Sequence, residues 1–369
     1  MMQIKICSTI EDFQGLKEDW KYLHSQSGSF LFLDWLWMFS WWKNYYQFYK
    51  SASLFILTVY DNSKCVAIAP FFIEPVFFLG IRYRVLRFLA SKKESLGLDI
   101  LLDKAYEEQI INELADFLFK NKNKWDYAMI SSVEPDSFIR KFAEKNNFIF
   151  KEKQGIYSEV DLQTGWENYL EQLQPRMRTK IRKMIKEAGS NKLSIALADQ
   201  SNIEESFLSL VELHQKRWEK DRESGAFGGG KKYSYGFLQD ILQEYCRQDK
   251  IRIYNLIKDD KFLGQQLYFV NNNTLYLFQE GYKWEADIMY PGNILRALLM
   301  KNLAEQNKYI YNFMSGWTFH KKSWGGQKKD MYYIRFAHFH PKNKFYFYFY
   351  PWVEKIKGKW RGLIFRLKI

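Results

Sequence analysis

The stretch from Gly264 to Gly326 constrains the fold more than any other part of the chain. Gly264–Val270 and Thr274–Tyr282 are rich in aromatic and branched residues, and Asn271-Asn272-Asn273 between them tolerates positive φ, so the pair reads as a hairpin. Tyr290-Pro291-Gly292-Asn293 breaks that pattern. From Ile294 to Ala304 the apolar residues then recur at three and four, as on a helix. Tyr309–Met314 returns as a strand and stops at Ser315-Gly316. A helix beginning at Pro291 turns its first N–H groups and its positive dipole end toward whatever lies over Pro291, Gly292, Asn293 and Ile294, which makes the turn a candidate phosphate cradle.

A chain of 369 residues, 47% of them hydrophobic, is longer than one core usually serves, since single cores rarely grow beyond about 250–300 residues. Two domains are expected. The 55 basic and 42 acidic residues leave a net charge of +13, which suits nucleotide phosphates, nucleic acid or an acidic membrane surface without choosing among them. Cys7, Cys65 and Cys246 have neither metal nor disulfide spacing, so no metal is expected and a reducing compartment fits. The first twelve residues lack a sustained apolar segment, which predicts a cytoplasmic protein. Phe30–Trp42, the most apolar run, is shorter than the roughly 20 residues a bilayer requires and reads as a buried helix capped near Ser29.

The first half reads as a small α/β layer. A hairpin is expected over Leu54–Tyr60 and Cys65–Ile73, then strands at Tyr83–Leu89 and Leu98–Leu102, a helix from Tyr106 to Asn121, a strand at Trp125–Ile130 and a helix from Ser137 to Asn146. From Gly155 the order of strands and helices begins again. Two repeated units are therefore expected, residues 1–154 and 155–341, followed by a basic aromatic tail, 342–369. Within the second, Pro175–Lys186 sets Arg176, Arg178, Lys180, Arg182, Lys183 and Lys186 around an apolar stripe, either as an anion-binding helix or as a solvated basic face.

A strand, a glycine loop, a helix and a parallel strand also form the cofactor half of the GNAT N-acyltransferases. More closely, the chain resembles the branch of cellulose- or exopolysaccharide-biosynthesis acetyltransferases. The likeness rests on Gly281-Tyr282 ending the hairpin, Pro291-Gly292 opening the helix, Asn312-Phe313 with Gly316, Lys321 and Trp324-Gly325. Upstream it rests on Leu213-His214, Arg217-Trp218 and Gly225-Ala226-Phe227. Two positions depart from the branch: Asn312 stands where it usually has Asp, and His320 where it usually has Tyr. The resemblance implies an α/β (α+β) fold of two tandem GNAT-like domains in a Fem-like arrangement, each a mixed central sheet flanked by helices. It also implies an acyl-CoA-dependent N- or O-acyltransferase acting on an amino sugar, a glycan precursor or a lipid-linked sugar in polysaccharide or cell-envelope biosynthesis. The acyl-CoA would lie on Pro291, Gly292, Asn293 and Ile294.

Acyl transfer from a thioester needs a base for the acceptor, donors near the carbonyl oxygen and an acid for the leaving thiolate. Glu280 is the candidate base, late on the strand beside the thioester, and its bland reading is a surface charge. His320 at the Tyr-like position is the candidate acid, or else a hydrogen-bonding turn residue. His214 and Arg217, three apart on one helix face, are candidates with Trp218 and Lys321 for holding the acceptor, unless the polar pair is merely solvated. Fem-type aminoacyl-tRNA-dependent transferases are also paired GNAT-like units, and a basic chain suits their donor; an evident coiled-coil arm is lacking. A non-catalytic membrane or nucleic-acid binder is the third class. Phe345–Tyr350 and the basic residues from Lys342 to Lys368, facing Glu354 alone, read as a peripheral anchor on an anionic membrane or as a closing strand and helix.

Overall fold

The computed structural model describes residues 2–28, 30–91, 95–146, 148–220, 225–228, 232–283, 288 and 290–349, with only the backbone of Arg217, Glu219 and Lys220. Two compact units divide the chain. Met1–Ser29, Tyr49–Gln154 and Tyr332–Ile369 make the first, and Phe30–Phe48 with Gly155–Met331 make the second.

The chain opens with β1 (Met2–Cys7), α1 (Ile10–Gly15), α2 (Lys17–Ser27) and α3 (Trp35–Phe48). Then follow β2 (Ser53–Leu54), β3 (Ile56–Asp61), β4 (Lys64–Ala69), β5 (Phe71–Phe78), β6 (Ile81–Phe88) and β7 (Leu101–Leu102). Next are α4 (Glu107–Lys120), β8 (Tyr127–Val133), α5 (Phe138–Lys145) and β9 (Ile149–Asp161). The rest comprises α6 (Trp166–Gln172), α7 (Pro175–Ser190), β10 (Ser194–Leu197), α8 (Ile203–Lys220), α9 (Tyr233–Arg247), β11 (Ile251–Lys258), β12 (Lys261–Asn271), β13 (Thr274–Tyr282), α10 (Pro291–Glu305), β14 (Ile310–Ser315), α11 (Phe319–Ser323) and β15 (Gln327–Ala337).

In the first unit β1, β3, β4 and β7 form one antiparallel sheet, and β2, β5, β6, β8 and the end of β15 form a second run of strands. The hairpin expected over Leu54–Ile73 is split at Pro70, which has no N–H for a ladder: Phe71–Phe78 leaves β4 and pairs instead with Ile81–Phe88. β6 and β8 are parallel neighbours only at Val85↔Tyr127 and Leu86↔Ala128. Beyond that point the chain itself fills the place beside β8. Ser131 Oγ donates to the Ser91 carbonyl (2.8 Å), the Leu98 N–H donates to the Ser132 carbonyl (3.2 Å), and Leu96, Leu98 and Ile100 are buried. Asp99 accepts from the N–H groups of Ile100 (2.8 Å), Phe138 (2.7 Å) and Ile139 (2.8 Å), so it caps α5 and shortens the expected 98–102 strand to its last two residues. Burial pushes the Asp99 carboxyl up to about 6.

Residues 341–349 are helical. Tyr346 and Phe347 are buried, and the Tyr346 ring lies 5.1 Å from Phe78, 4.5 Å from Tyr83 and 4.4 Å from Tyr127. The alternation beginning at Phe345 is thus not a strand, and half of its aromatic band belongs to the core of the first unit. Residues 350–369, which carry most of the basic tail, lie outside the described residues.

The sheet of the second unit runs β10-β11-β12-β13-β14-β9, antiparallel except for β13 with β14. α3 packs here, although residues 30–48 were expected in the first domain. The reason is its aromatic face: Trp37 meets Phe237 at 4.8 Å and Phe269 at 4.7 Å, both edge to face, and Trp41 meets Tyr233 at 5.8 Å. A Cβ added at Gly236 would lie 2.3 Å from Asn44 Oδ1, so α9 can approach α3 only through that glycine. Asp34 accepts from the Leu36 N–H (2.8 Å) at the start of α3 and pairs with Lys250 (2.7 Å); Ser29, the expected cap, lies outside the described residues. Among the described residues no helix is long and apolar enough to cross a membrane. Trp37→Ala should cost the second unit about 3–5 kcal/mol, read in urea unfolding; a loss below about 1 kcal/mol would mean that α3 does not support this core.

Candidate active site

β13 and β14 are parallel neighbours only where Thr274, Leu275 and Tyr276 face Ile310, Tyr311 and Asn312. Just beyond, Leu267 pairs with Gln279 while Tyr268 pairs with Leu277, so Phe278 is an extra residue in β13. Such a bulge bends and twists its strand. From there β13 stays with β12, β14 stays with β9, and the strands part toward Glu280 and Ser315.

The departing end of β13 is held from behind by α8. At Gly281 an added Cβ would lie 2.9 Å from the Leu210 carbonyl oxygen and 2.9 Å from Leu213 Cβ, so only glycine lets the helix so close. His214 donates through Nδ1 to the Glu280 carbonyl (3.0 Å) and accepts at Nε2 from the Ala226 N–H (3.1 Å), which fixes a neutral ring. Expected to hold the acceptor, this histidine instead ties β13 to the 225–228 loop. The Trp218 ring lies 5.9 Å from it, and a Cβ at Gly225 would meet Trp218 Cδ1 at 2.7 Å, so Trp218 too packs on that loop. The Arg217 side chain lies outside the described residues.

The centre of the site is a residue the sequence reading did not single out. From Pro291 to Met300 the one charged residue is Arg296, and it is 2% exposed. An ion costs several kcal/mol to bury unless it is paired and hydrogen-bonded, and Arg296 makes four hydrogen bonds. One terminal nitrogen reaches Glu280 Oε2 at 2.5 Å, the other Asn293 Oδ1 at 3.1 Å and His320 Nε2 at 3.2 Å, and Nε reaches the Tyr311 hydroxyl at 3.2 Å. Its Cζ lies 5.3 Å from the Trp324 ring centroid. Gln266 Nε2 also donates to Glu280 Oε2 (3.2 Å) and to the Gly292 carbonyl (3.0 Å), while its Oε1 accepts from the Tyr268 hydroxyl (2.6 Å). One chain of hydrogen bonds thus runs from β12 through β13 to α10 and β14.

Glu280, Tyr282, Tyr290, Gly292, Asn293 and His320 line a cavity of about 230 Å³ over the start of α10. At that start Pro291 has no N–H, and the N–H groups of Asn293 (2.9 Å) and Ile294 (3.1 Å) both turn to the carbonyl of Tyr290, a helix cap held at φ 62°. These bonds leave only the Gly292 N–H of the expected cradle to a ligand, and the Ile294 side chain is buried in the core. A Cβ at Gly292 would press the Tyr282 ring at 3.0 Å.

His320 Nε2 accepts from Arg296 and from Trp324 Nε1 (3.1 Å), groups that can only donate. Desolvation, then the guanidinium, lower its pKa to about 4. Near neutral pH the ring has no proton at Nε2 to give, so the acid role expected for His320 does not fit. Lys321, expected to bind substrate, gives its ammonium to the carbonyls of Phe313 (2.8 Å), Met314 (3.1 Å), Ser315 (2.7 Å) and Gly316 (3.2 Å). Burial and the Arg296 charge pull its pKa down to about 8, which leaves it charged for these bonds at pH 7. It fastens the end of β14, where Met314 adopts φ 59° and its N–H meets Asn312 Oδ1 at 2.8 Å. Asn312 Nδ2 faces Glu159 Oε2 at 3.5 Å, so Asp in its place would oppose two carboxylates. Among the described residues no three His, Cys, Asp or Glu side chains gather as a metal ion would need.

Two outcomes follow from the cluster. Glu280→Leu strands a buried guanidinium and should cost about 3–5 kcal/mol. Arg296→Met should cost less, because Glu280, 27% exposed, can still reach water. The double variant should therefore be more stable than Glu280→Leu alone, which urea unfolding would show; additive losses would mean the two groups are not coupled. The second outcome concerns His320. Its ordinary pKa of 6.5 is depressed, so the unfolded chain takes up a proton between pH 6.5 and about 4 that the folded protein refuses, and stability falls as pH falls through that window. Ring ¹⁵N shifts should show a neutral imidazole at pH 5.5; a protonated ring there would contradict the arrangement.

Residues 175–322, which carry α7 through most of α11, match the family model described as the acetyltransferase (GNAT) domain. No curated protein matches the chain by sequence. Among solved structures it is similar to FemX, with 12% identity and a TM-score of 0.57 over 90% of this chain and 96% of that one. L-PGS from Bacillus licheniformis shares 12% identity and a TM-score of 0.55 over 88% and 92%. A conserved protein of unknown function from Bacteroides thetaiotaomicron shares 13% and 0.52 over 92% and 100%. At such identities the likeness is one of fold, and it extends over both units: the chain is an α/β protein of two tandem GNAT-like units, and residues 175–322 of the second match the acetyltransferase (GNAT) domain.

Proposed function

We propose that the second unit is an acyl-CoA-dependent N- or O-acyltransferase whose reaction takes place where β13 and β14 part. The observation that carries this is the placement of Glu280: the bulge at Phe278 turns it into the opening, and Arg296 and Gln266 fix its carboxylate beside the start of α10. The acyl-CoA, as co-substrate, supplies the activated acyl carbon. Gly292 presents the remaining first-turn N–H to its phosphates, and Tyr282 packs over that turn. Glu280 orients the acceptor amine or hydroxyl and takes its proton as the new C–N or C–O bond forms and the C–S bond breaks. Tyr282 supplies the proton for the departing thiolate, in place of His320, whose neutral ring positions Arg296. The acceptor class implied by the sequence resemblance is an amino sugar, a glycan precursor or a lipid-linked sugar.

One observation favours a second reading, an aminoacyl-tRNA donor as in Fem-type enzymes. The exposed basic face of α7 borders the cavity, with Lys180 Nζ 5.2 Å from the ring centroid of Tyr290, while Pro291 and the Tyr290 carbonyl withdraw N–H groups from a pyrophosphate. A phosphodiester backbone needs such a face more than it needs a helix terminus.

The two donors are separable. With acetyl-CoA and a panel of amino sugars, thiol release should be seen and Glu280→Gln, which keeps an acceptor oxygen for Arg296, should lower kcat by a factor of about 10² or more. Turnover only with aminoacyl-tRNA, lost on changing Lys180 and Arg176 to Glu, would establish the second reading. Activity unchanged in Glu280→Gln would remove Glu280 from the chemistry.

A further inference from the structure

The first unit carries a surface that the reaction does not use. β5 and β6 are joined by Leu79 and Gly80, both at positive φ (49° and 77°), with Phe78 facing Ile81 across the turn. A two-residue turn of this kind favours Asn or Gly at its first position, and a bulky side chain there is strained. Leu79 nevertheless occupies it and is 67% exposed, between Phe77 at 71% and Ile81 at 40%. Three large apolar side chains thus crowd a tip where local conformation would select a small polar residue.

The tip continues into a cationic cleft. Residues directly opposed in an antiparallel ladder share a face, so Phe77 lies on the same face as its partner Arg82, and Pro75 with Arg84. That face forms one wall of a cleft of about 440 Å³ whose polar lining is Ser8, Ser51, Ser53, Arg82, Arg84 and Lys124, with no acidic residue in it. Asp126 pairs with Arg84 (3.0 Å), while Arg82 and Lys124 are exposed. The opposite face, through Phe78, is occupied by the helix of residues 341–349.

We propose that this hairpin face docks on an anionic phospholipid bilayer, with Phe77 and Leu79 entering the interface and the serine-lined basic cleft receiving a phosphate headgroup. Charge selects the partner: an apolar tip alone would suit another protein, but tip and cations on one face match the layered chemistry of a membrane surface, apolar below and anionic above. The site lies wholly in the first unit and is independent of the donor bound by the second.

Co-sedimentation of the full chain with phosphatidylcholine vesicles, with and without phosphatidylglycerol, tests this. Wild type should pellet with the anionic vesicles and be released by high salt. Phe77→Ser/Leu79→Asn and Arg82→Glu/Lys124→Glu should each lower the bound fraction by about tenfold. Asn suits the positive φ of the turn and the other positions are exposed, so both variants should melt as wild type does. Wild type remaining in the supernatant, or both variants binding as wild type, would overturn the proposal. So would tip-dependent dimerisation in sedimentation velocity without vesicle binding, which would assign the tip to self-association. Saturable binding of glycerol 3-phosphate without vesicle binding would assign the cleft to a soluble phosphate instead.

Discussion

The buried guanidinium of Arg296 is the constraint on which the second unit's cleft depends. A charge at 2% exposure is costly unless it is paired and hydrogen-bonded, and the four partners that meet it come from β13, α10, β14 and α11. Three of the partners are held in turn by other groups: Glu280 by Gln266, Tyr311 by Tyr268, His320 by Trp324. Such a network is costly if half satisfied and rigid if complete. Here the guanidinium makes four such bonds, and the strands they join are those that diverge. The cluster therefore keeps the cleft open while fixing the carboxylate at its edge.

The two units use the same local device with opposite outcomes. In each, a hairpin is followed by a helix and a parallel strand that pairs over only two or three residues. In the second unit the space beyond is lined by polar side chains and stays open. In the first, residues 95–100 fill it, the Leu98 N–H pairs with β8, and the Asp99 carboxylate takes up the α5 N-terminus. A carboxylate of the chain itself thus occupies a helix terminus that would otherwise attract an anion. Residue identity is unnecessary for this relation; topology and the short parallel pairing suffice.

Much of the second unit was legible because its strands and helices are long and strongly patterned. The hairpin of β12 and β13, the start of α10 at Pro291 and the return strand β14 lie where alternation, breakers and helical spacing put them. What was not legible is long-range. Nothing near Trp37 says that its ring meets Phe237 and Phe269, some 200 residues away. His214 and Lys321 have the chemistry of ligand-binding residues, and only the carbonyls placed against them show that both are structural. Arg296 did have a local signal, the one charge between Pro291 and Met300, which implies a buried and paired ion. Asn312 also gains a reason: it faces Glu159, where Asp would repel.

The most direct test of the account is amide hydrogen exchange on the full chain, with acetyl-CoA and, separately, with aminoacyl-tRNA. One of the two donors should slow exchange at residues 277–282 and 290–296 and leave 85–91 and 127–133 unchanged, and Arg296→Met should remove that protection. Protection by neither donor, or protection confined to the first unit, would contradict the assignment of the reaction to the opening between β13 and β14.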